Sequence, residues 1–240
     1  MRREGYELSV SRPRVLFRNN PETGKREEPI EEVFVDVDEE YGGAVVSSIS
    51  ERKGELQELR PSGGGKQRLV FLAPARGLIG YHGQFLTETR GTGIMNRVFH
   101  SYGPYKGPIA ARRTGVLISM ENGKASPYAL FNLEERGFMF IPAGVPVYQG
   151  MIIGENAKPS DLEVNPLKAK QLTNFRAAGK DDAVTLTTPV DMTLEKSLAY
   201  ISDDELVEVT PKVIRLRKRF LDPHERKREA RKAASAEAAE

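Results

Sequence analysis

The side chains that do chemistry are few here and do not cluster. The three histidines, His82, His100 and His224, are scattered with no H-E-x-x-H spacing, and there is no cysteine. That excludes thiolate nucleophiles, disulfides, zinc ribbons and cysteine-ligated iron–sulfur centres, and it leaves no metal-ligand set. His82 stands in Gly80-Tyr81-His82-Gly83, where an imidazole can stack on a base or meet a phosphate. A partly exposed packing residue has the same surroundings. Gly77, Gly80 and Gly83 have the spacing G-x-x-G-x-x-G, which reads as one face of a helix lying close to a sheet and not as a dinucleotide fingerprint. Each Gly-Lys pair (24–25, 65–66, 123–124, 179–180) lacks the following Ser or Thr of a phosphate loop. No serine lies in G-x-S-x-G. The adjacent carboxylates Asp181-Asp182 and Asp203-Asp204 point apart and read as turn acids. No catalytic residue is expected.

The residues that do group are cations. The whole chain of 240 residues is nearly balanced, with 36 Lys and Arg against 34 Asp and Glu. Residues 212–232, however, hold ten basic and three acidic side chains. Such a block attracts polyanions by releasing their counterions, and a solvated tail has the same composition. A second candidate runs from Asn165 to Asp181, rich in polar residues, with Lys168, Lys170, Arg176 and Lys180 as cations, Thr173 and Asn174 as donors and Phe175 as the aromatic ring. Cations and short polar groups fit phosphates and the 2′-hydroxyls of RNA. A solvated loop and a protein-binding loop stay open beside that reading. Arg215, Arg217 and Arg219 alternate along a strand and form a cationic ridge, or an ordinary exposed strand face. Arg76 opens a helix, where its charge opposes the dipole and points to an anion beside it.

The elements that position these residues follow from period and punctuation. Residues 1–29 hold too few apolar groups to enclose a core, and read as the remnant of a preceding domain with a short edge strand over 6–10. From Pro29 the order is strand (31–37), a break at Tyr41-Gly42-Gly43, helix from Ala44 to Gly54, strand (55–59), the Ser62–Gly65 hairpin, strand (68–72), helix from Pro74, and strand (94–102). This β-α-β-β-α-β order over 30–105 is the ferredoxin-like split βαβ plan. Beyond Pro104, short apolar segments at 115–120, 126–133, 138–141 and 147–153 alternate with turn residues. They predict a β-rich, barrel-like domain over 106–221. Thr193 caps a short helix, and strands return at 206–209 and 213–216. Residues 222–240 are charge and alanine and read as a frayed helix or a disordered tail. The fold class expected is therefore α+β: a ferredoxin-like domain followed by a barrel-like one. No run of about 18 apolar residues spans a membrane, and the Met1–Val10 segment has no apolar core of a signal peptide. A cytoplasmic, monomeric protein is expected.

Longer motifs carry a resemblance. Met1 to Pro13 resembles the end of domain III of the BipA/TypA translational GTPases, a family similar to elongation factor G. Pro29 to Pro104, with Pro74-Ala75-Arg76-Gly77-Leu78-Ile79-Gly80-Tyr81, resembles domain V of that family. Residues 106–222, with Leu172-Thr173-Asn174-Phe175-Arg176-Ala177 and Asp203 to Pro211, resemble its family-specific C-terminal domain. The resemblance implies ribosome binding in a GTP-dependent cycle, with roles in translation under stress and in large-subunit assembly. It implies that the loop holding Lys168, Lys170, Thr173, Asn174, Arg176 and Lys180 reaches toward the acceptor end of A-site tRNA, and that the domain V surface meets large-subunit rRNA. The family's G domain, where GTP and Mg2+ bind, has no counterpart in these residues, so no cofactor and no GTPase activity are expected of this chain. A protein-interaction or scaffolding module is the alternative. A steep loss of RNA affinity with salt separates the two.

Overall fold

In the computed structural model, which describes residues 2–109, 112, 114–169 and 185–237, the chain forms two units. One comprises Met1–Arg12, Arg112–Ser197 and Ile201–Glu240; the other comprises Pro13–Ala111 with Leu198–Tyr200. The first strand, β1 (Leu8–Ser11), belongs to the former. The chain then builds the latter from β2 (Arg18–Asn19), β3 (Arg26–Asp38), α1 (Glu39–Glu51), β4 (Glu55–Gly63), β5 (Lys66–Pro74), a 3-10 turn (Ala75–Leu78), α2 (Tyr81–Glu88) and β6 (Ile94–Pro104).

Alternation makes this second sheet. Val33, Val35 and Val37 of β3 are fully buried, as are Leu69, Phe71 and Ala73 of β5 on the same face. Against them α1 lays Val45 and Ile49 and α2 lays Tyr81 and Phe85. Each of the larger side chains (Val, Leu, Ile or Phe) contributes about 1.5–3 kcal/mol by leaving water. β3 is central, paired antiparallel to β5 and to β6, with β4 outside β5. The element order is the one the periodicity predicts. Two local readings change. The expected break at Tyr41-Gly42-Gly43 lies inside α1: Glu39 and Glu40 favour a helix N-terminus there, and Gly42 presses on the Gln67 side chain where a Cβ would collide. The second helix is two elements. Gly80 takes φ +79°, which ends the 3-10 turn and starts α2, so Gly77, Gly80 and Gly83 do not share one helix face.

The remaining elements are β7 (Val116–Ser119), β8 (Gly123–Lys124), α3 (Pro127–Glu134), β9 (Gly137–Met139), β10 (Pro146–Val147), β11 (Met151–Asn156), β12 (Leu162–Val164), α4 (Leu194–Tyr200), β13 (Glu205–Val209), β14 (Ile214–Lys218) and α5 (Pro223–Glu237). The barrel-like expectation for 106–221 is overturned. The sheet runs β1-β13-β14-β11-β7-β12 with β9 on β11, and its end strands do not meet, so it stays open. The physical reason lies in 126–133. Ser126 accepts a hydrogen bond from the Ala129 N–H, Pro127 opens the first turn, and the apolar stretch read as a strand is α3. Leu130 and Leu133 of that helix close the core over Leu117, Met139, Met151, Ile153 and Val164, where a barrel would need further strands. Just before Asn165, β12 pairs in parallel with β7.

Residues 1–29 fall in both units. Leu8–Ser11 pairs antiparallel with β13 at the edge of the seven-stranded sheet, and Arg18-Asn19 pairs with the start of β3. Of the two readings of the tail, frayed helix or disorder, the described residues show a helix, over Pro223–Glu237. The Asp222 side chain accepts from the His224 N–H, and Arg226 fixes the first turn to the sheet. No helix among the described residues is long and apolar enough to cross a membrane.

Candidate nucleic-acid interface

α5 gathers cations by its period. His224, Lys227, Arg228, Arg231, Lys232 and Ser235 recur every three or four residues, the spacing of one helix face, and line a shared concave surface. Arg226 points the other way. Its guanidinium bonds Glu163 of β12 at 2.7 Å and the Phe220 and Leu221 carbonyls at 2.9 and 2.6 Å. One arginine thus anchors the helix and turns the basic face outward. Glu225 and Glu229 offset part of the charge: Glu229 meets Lys232 at 2.8 Å and Arg228 at 3.7 Å. Lys227 and Arg231 have no carboxylate partner among the described residues.

The predicted ridge on β14 is only partly formed. The strand ends at Lys218, so Arg219 stands beyond it, exposed, with its N–H on the Asp204 carbonyl. Arg215 and Arg217 do share a face. Arg215 lies 3.5 Å from Glu208, which also accepts from the Tyr148 hydroxyl. Burial first, then the Glu208 charge, pushes that phenol up. Arg217 donates to the Lys218 and Arg219 carbonyls and to Ser9, and its Nε is buried without a partner.

Of the long polar segment, Lys168 is exposed, and its carbonyl accepts from Ser126, the cap of α3. Lys170, Thr173, Asn174, Arg176 and Lys180 lie outside the described residues. His82 is exposed in the first turn of α2. Arg76 differs from its reading. It sits in the 3-10 turn, not at an α-helix N-terminus, and the anion beside it is the protein's own Glu28, fully buried, with the Gly107 carbonyl as a further acceptor. Glu28 also accepts from the Lys106 N–H at 2.7 Å. Arg76 is therefore engaged by the fold.

The sequence reading missed a buried charge network. Lys218, 2% exposed, places its ammonium 2.6 Å from Asp161, 2.8 Å from Asp204 and 2.9 Å from Glu205. Arg112 forks onto Glu205 at 2.9 and 3.0 Å. Burial raises the Glu205 carboxyl, but the Arg112 hydrogen bonds and the Lys218 charge outweigh it, and it titrates below the usual carboxylate range. Burial lowers Lys218, and the surrounding carboxylates overcompensate, so it titrates above the usual lysine range. The three carboxylates have the spacing of a metal cage. The ammonium fills it, so the cluster is an ion network and not a metal centre. Alternation with Leu216 was the available signal: both face inward on β14.

Comparison with known proteins fits this division. Residues 114–223 match the TypA/BipA C-terminal domain, and residues 25–113 match the elongation factor G C-terminus. The chain is similar to the large ribosomal subunit assembly factor BipA of Haemophilus influenzae, at 51% identity over 236 residues, 98% of this chain and 38% of that protein. The factor of the same name from Bacillus subtilis is 49% identical over 237 residues, 98% of this chain and 38% of that one. The one from Escherichia coli K12 is 49% identical over 229 residues, 95% and 37%. The chain therefore spans less than two-fifths of the length of these curated relatives. The matched domains are C-terminal ones.

Proposed function

We propose a function from one premise, that the chain belongs to the TypA/BipA family and carries its C-terminal, non-catalytic part. The chain is an RNA-docking module: it binds the large ribosomal subunit through rRNA phosphates and does no bond-making. In the whole protein a GTP-dependent cycle sets when docking occurs, in translation under stress and in large-subunit assembly, in the cytoplasm.

The observation that carries this is the basic face of α5, held outward by the Arg226 anchor. Fixed cations on a rigid element neutralise phosphates without the ordering cost of a floppy tail. On the same unit Arg215, Arg217 and Arg219 add cations for RNA phosphates; on the other unit the exposed His82 offers a ring to RNA, and Arg76 serves the fold. The segment with Lys168, Lys170, Thr173, Asn174, Arg176 and Lys180 reaches the acceptor end of A-site tRNA, as the family resemblance implies.

Co-sedimentation of the chain with large ribosomal subunits tests the reading. Binding is expected and should weaken steeply with salt. Changing Lys168, Lys170, Arg176 and Lys180 to Ala is the test of the segment, with the thermal midpoint as the check that the variant is folded. The change should lower subunit or tRNA affinity markedly. Salt-insensitive binding would instead mark a protein-interaction module.

A further inference from the structure

Far from α5 in sequence, the second unit carries a cluster that its own core does not need. It lies where β2, the start of β3 and the end of β6 meet. The Arg26 guanidinium lies 3.8 Å from the centroid of the Phe17 ring and 5.1 Å from that of Tyr105. The two rings meet edge-on, 5.9 Å apart at 74°. Beside them Arg18 covers Tyr102 at 4.1 Å, and Phe99 meets Tyr102 edge-on at 5.7 Å. Backbone pairing holds both groups in place: the Tyr105 N–H donates to the Arg26 carbonyl, and Tyr102 pairs with Pro29.

Two features distinguish this cluster from core packing. Its rings stay in solvent, with Phe99 59%, Tyr105 38% and Phe17 37% exposed. Its charge is also uneven. Arg18 is paired with Glu27, and Glu28 is engaged by Arg76 and the Lys106 N–H. Arg26, exposed, has no carboxylate partner among the described residues, and the carboxylates nearest it in sequence are already engaged. The Arg76 guanidinium also lies 4.7 Å from the Tyr105 centroid, so the surface presents partly exposed rings, planar guanidiniums and a net positive charge together.

We infer that this cluster is a stacking platform for unpaired nucleotides of RNA. An exposed ring gives any base a π-face, a guanidinium plane extends the stack, and Arg26 meets the adjoining phosphate. A protein partner with an apolar patch would leave the Arg26 charge buried without a counter-ion, so the chemistry favours a polyanion carrying flat bases. Duplex RNA does not use the platform, because its bases are already stacked. The inference rests on the proposed RNA-docking role only for its biological target; the platform involves neither α5 nor the 165–181 segment.

The experiment measures binding of a short single-stranded oligoadenylate, and of an RNA duplex of equal length, to the full chain. The variant pairs Phe17→Ala with Tyr105→Ala, and Phe17→Leu with Tyr105→Leu is the second variant should the first fail to fold. Losing a stacking ring costs about fivefold or more in single-strand affinity, so the double variant should lose at least about tenfold. Duplex affinity, set by phosphates, should stay within about twofold. The chain has no tryptophan, so stacking also appears directly as tyrosine quenching by the oligoadenylate, and this should shrink when Tyr105 is removed. Unchanged single-strand affinity in either folded variant overturns the platform, and so does an equal loss for single strand and duplex. Both results stand whether or not the chain pellets with large subunits, so failure here is separable from failure of the docking role.

Discussion

At the scale of single residues, charge serves two purposes in this chain. Lys218 and Arg226 are alike in the sequence, yet Lys218 is sealed among Asp161, Asp204 and Glu205 while Arg226 fastens a helix. Removing one partner of a buried ion network strands the others. Lys218→Met is therefore expected to destabilise the chain by about 3–5 kcal/mol, visible as a lower urea midpoint. The neighbouring cation is the control: Arg219→Ala, at an exposed position, should cost less than about 0.5 kcal/mol. The same network sets the pH dependence. Glu205 is depressed when folded, so its contribution is complete above the unfolded carboxylate value of about 4.3 and is lost as pH falls through the lower folded value. Lys218 is raised when folded, so its contribution is complete below about 10.4 and is lost as pH rises through the higher folded value. The network's own share of the stability should be flat between those limits and fall on both sides. A Glu205→Gln chain should lose part of the acid limb, with the depressed Asp36 left to supply another part, and an unaltered acid limb would remove Glu205 as a source.

At the scale of elements, α5 depends on its anchor more than on its own propensity. A helix of fifteen residues is marginal alone in water. Arg226→Ala should thus reduce helicity and weaken RNA binding although Arg226 is not on the binding face; circular dichroism and filter binding check the pair. A loss of affinity with full helicity would place Arg226 in direct contact instead. What was readable at this scale follows from locality. The β3–α1–β4–β5–α2–β6 order could be read because strand alternation and glycine stops are local signals. Thr193 as the cap of α4 was readable for the same reason, and its side chain accepts from the Lys196 N–H. The open sheet was not. Leu130 and Leu133 fit a strand and a helix equally over so short a run, and only the Ser126 cap with Pro127 decides it. The inward side of Lys218 was legible in its alternation with Leu216, but its charge argued the other way. Its partners Asp161 and Asp204, and the Arg112 that shares Glu205 with it, come from separate segments that no local pattern joins.

At the scale of the whole molecule, the relevant quantity is where charge lies and not how much there is. The formal net charge is only +2. A chain acting through net charge alone would release about two counterions on binding RNA. A chain acting through fixed patches releases one for each phosphate it meets, at a slope of about 0.7–0.9 per contact. Plotted as log affinity against log salt, binding to ribosomal RNA should therefore be steeper than about 3. Changing Lys227, Arg228, Arg231 and Lys232 of α5 to Ala takes the net charge from +2 to −2 and should flatten that slope by about 3. Adding four lysines elsewhere on the surface should restore the net charge without restoring the slope. If instead the restored net charge brought the slope back, the face built on α5 would be no more than a share of a diffuse field, and the patch account would fail on its own terms.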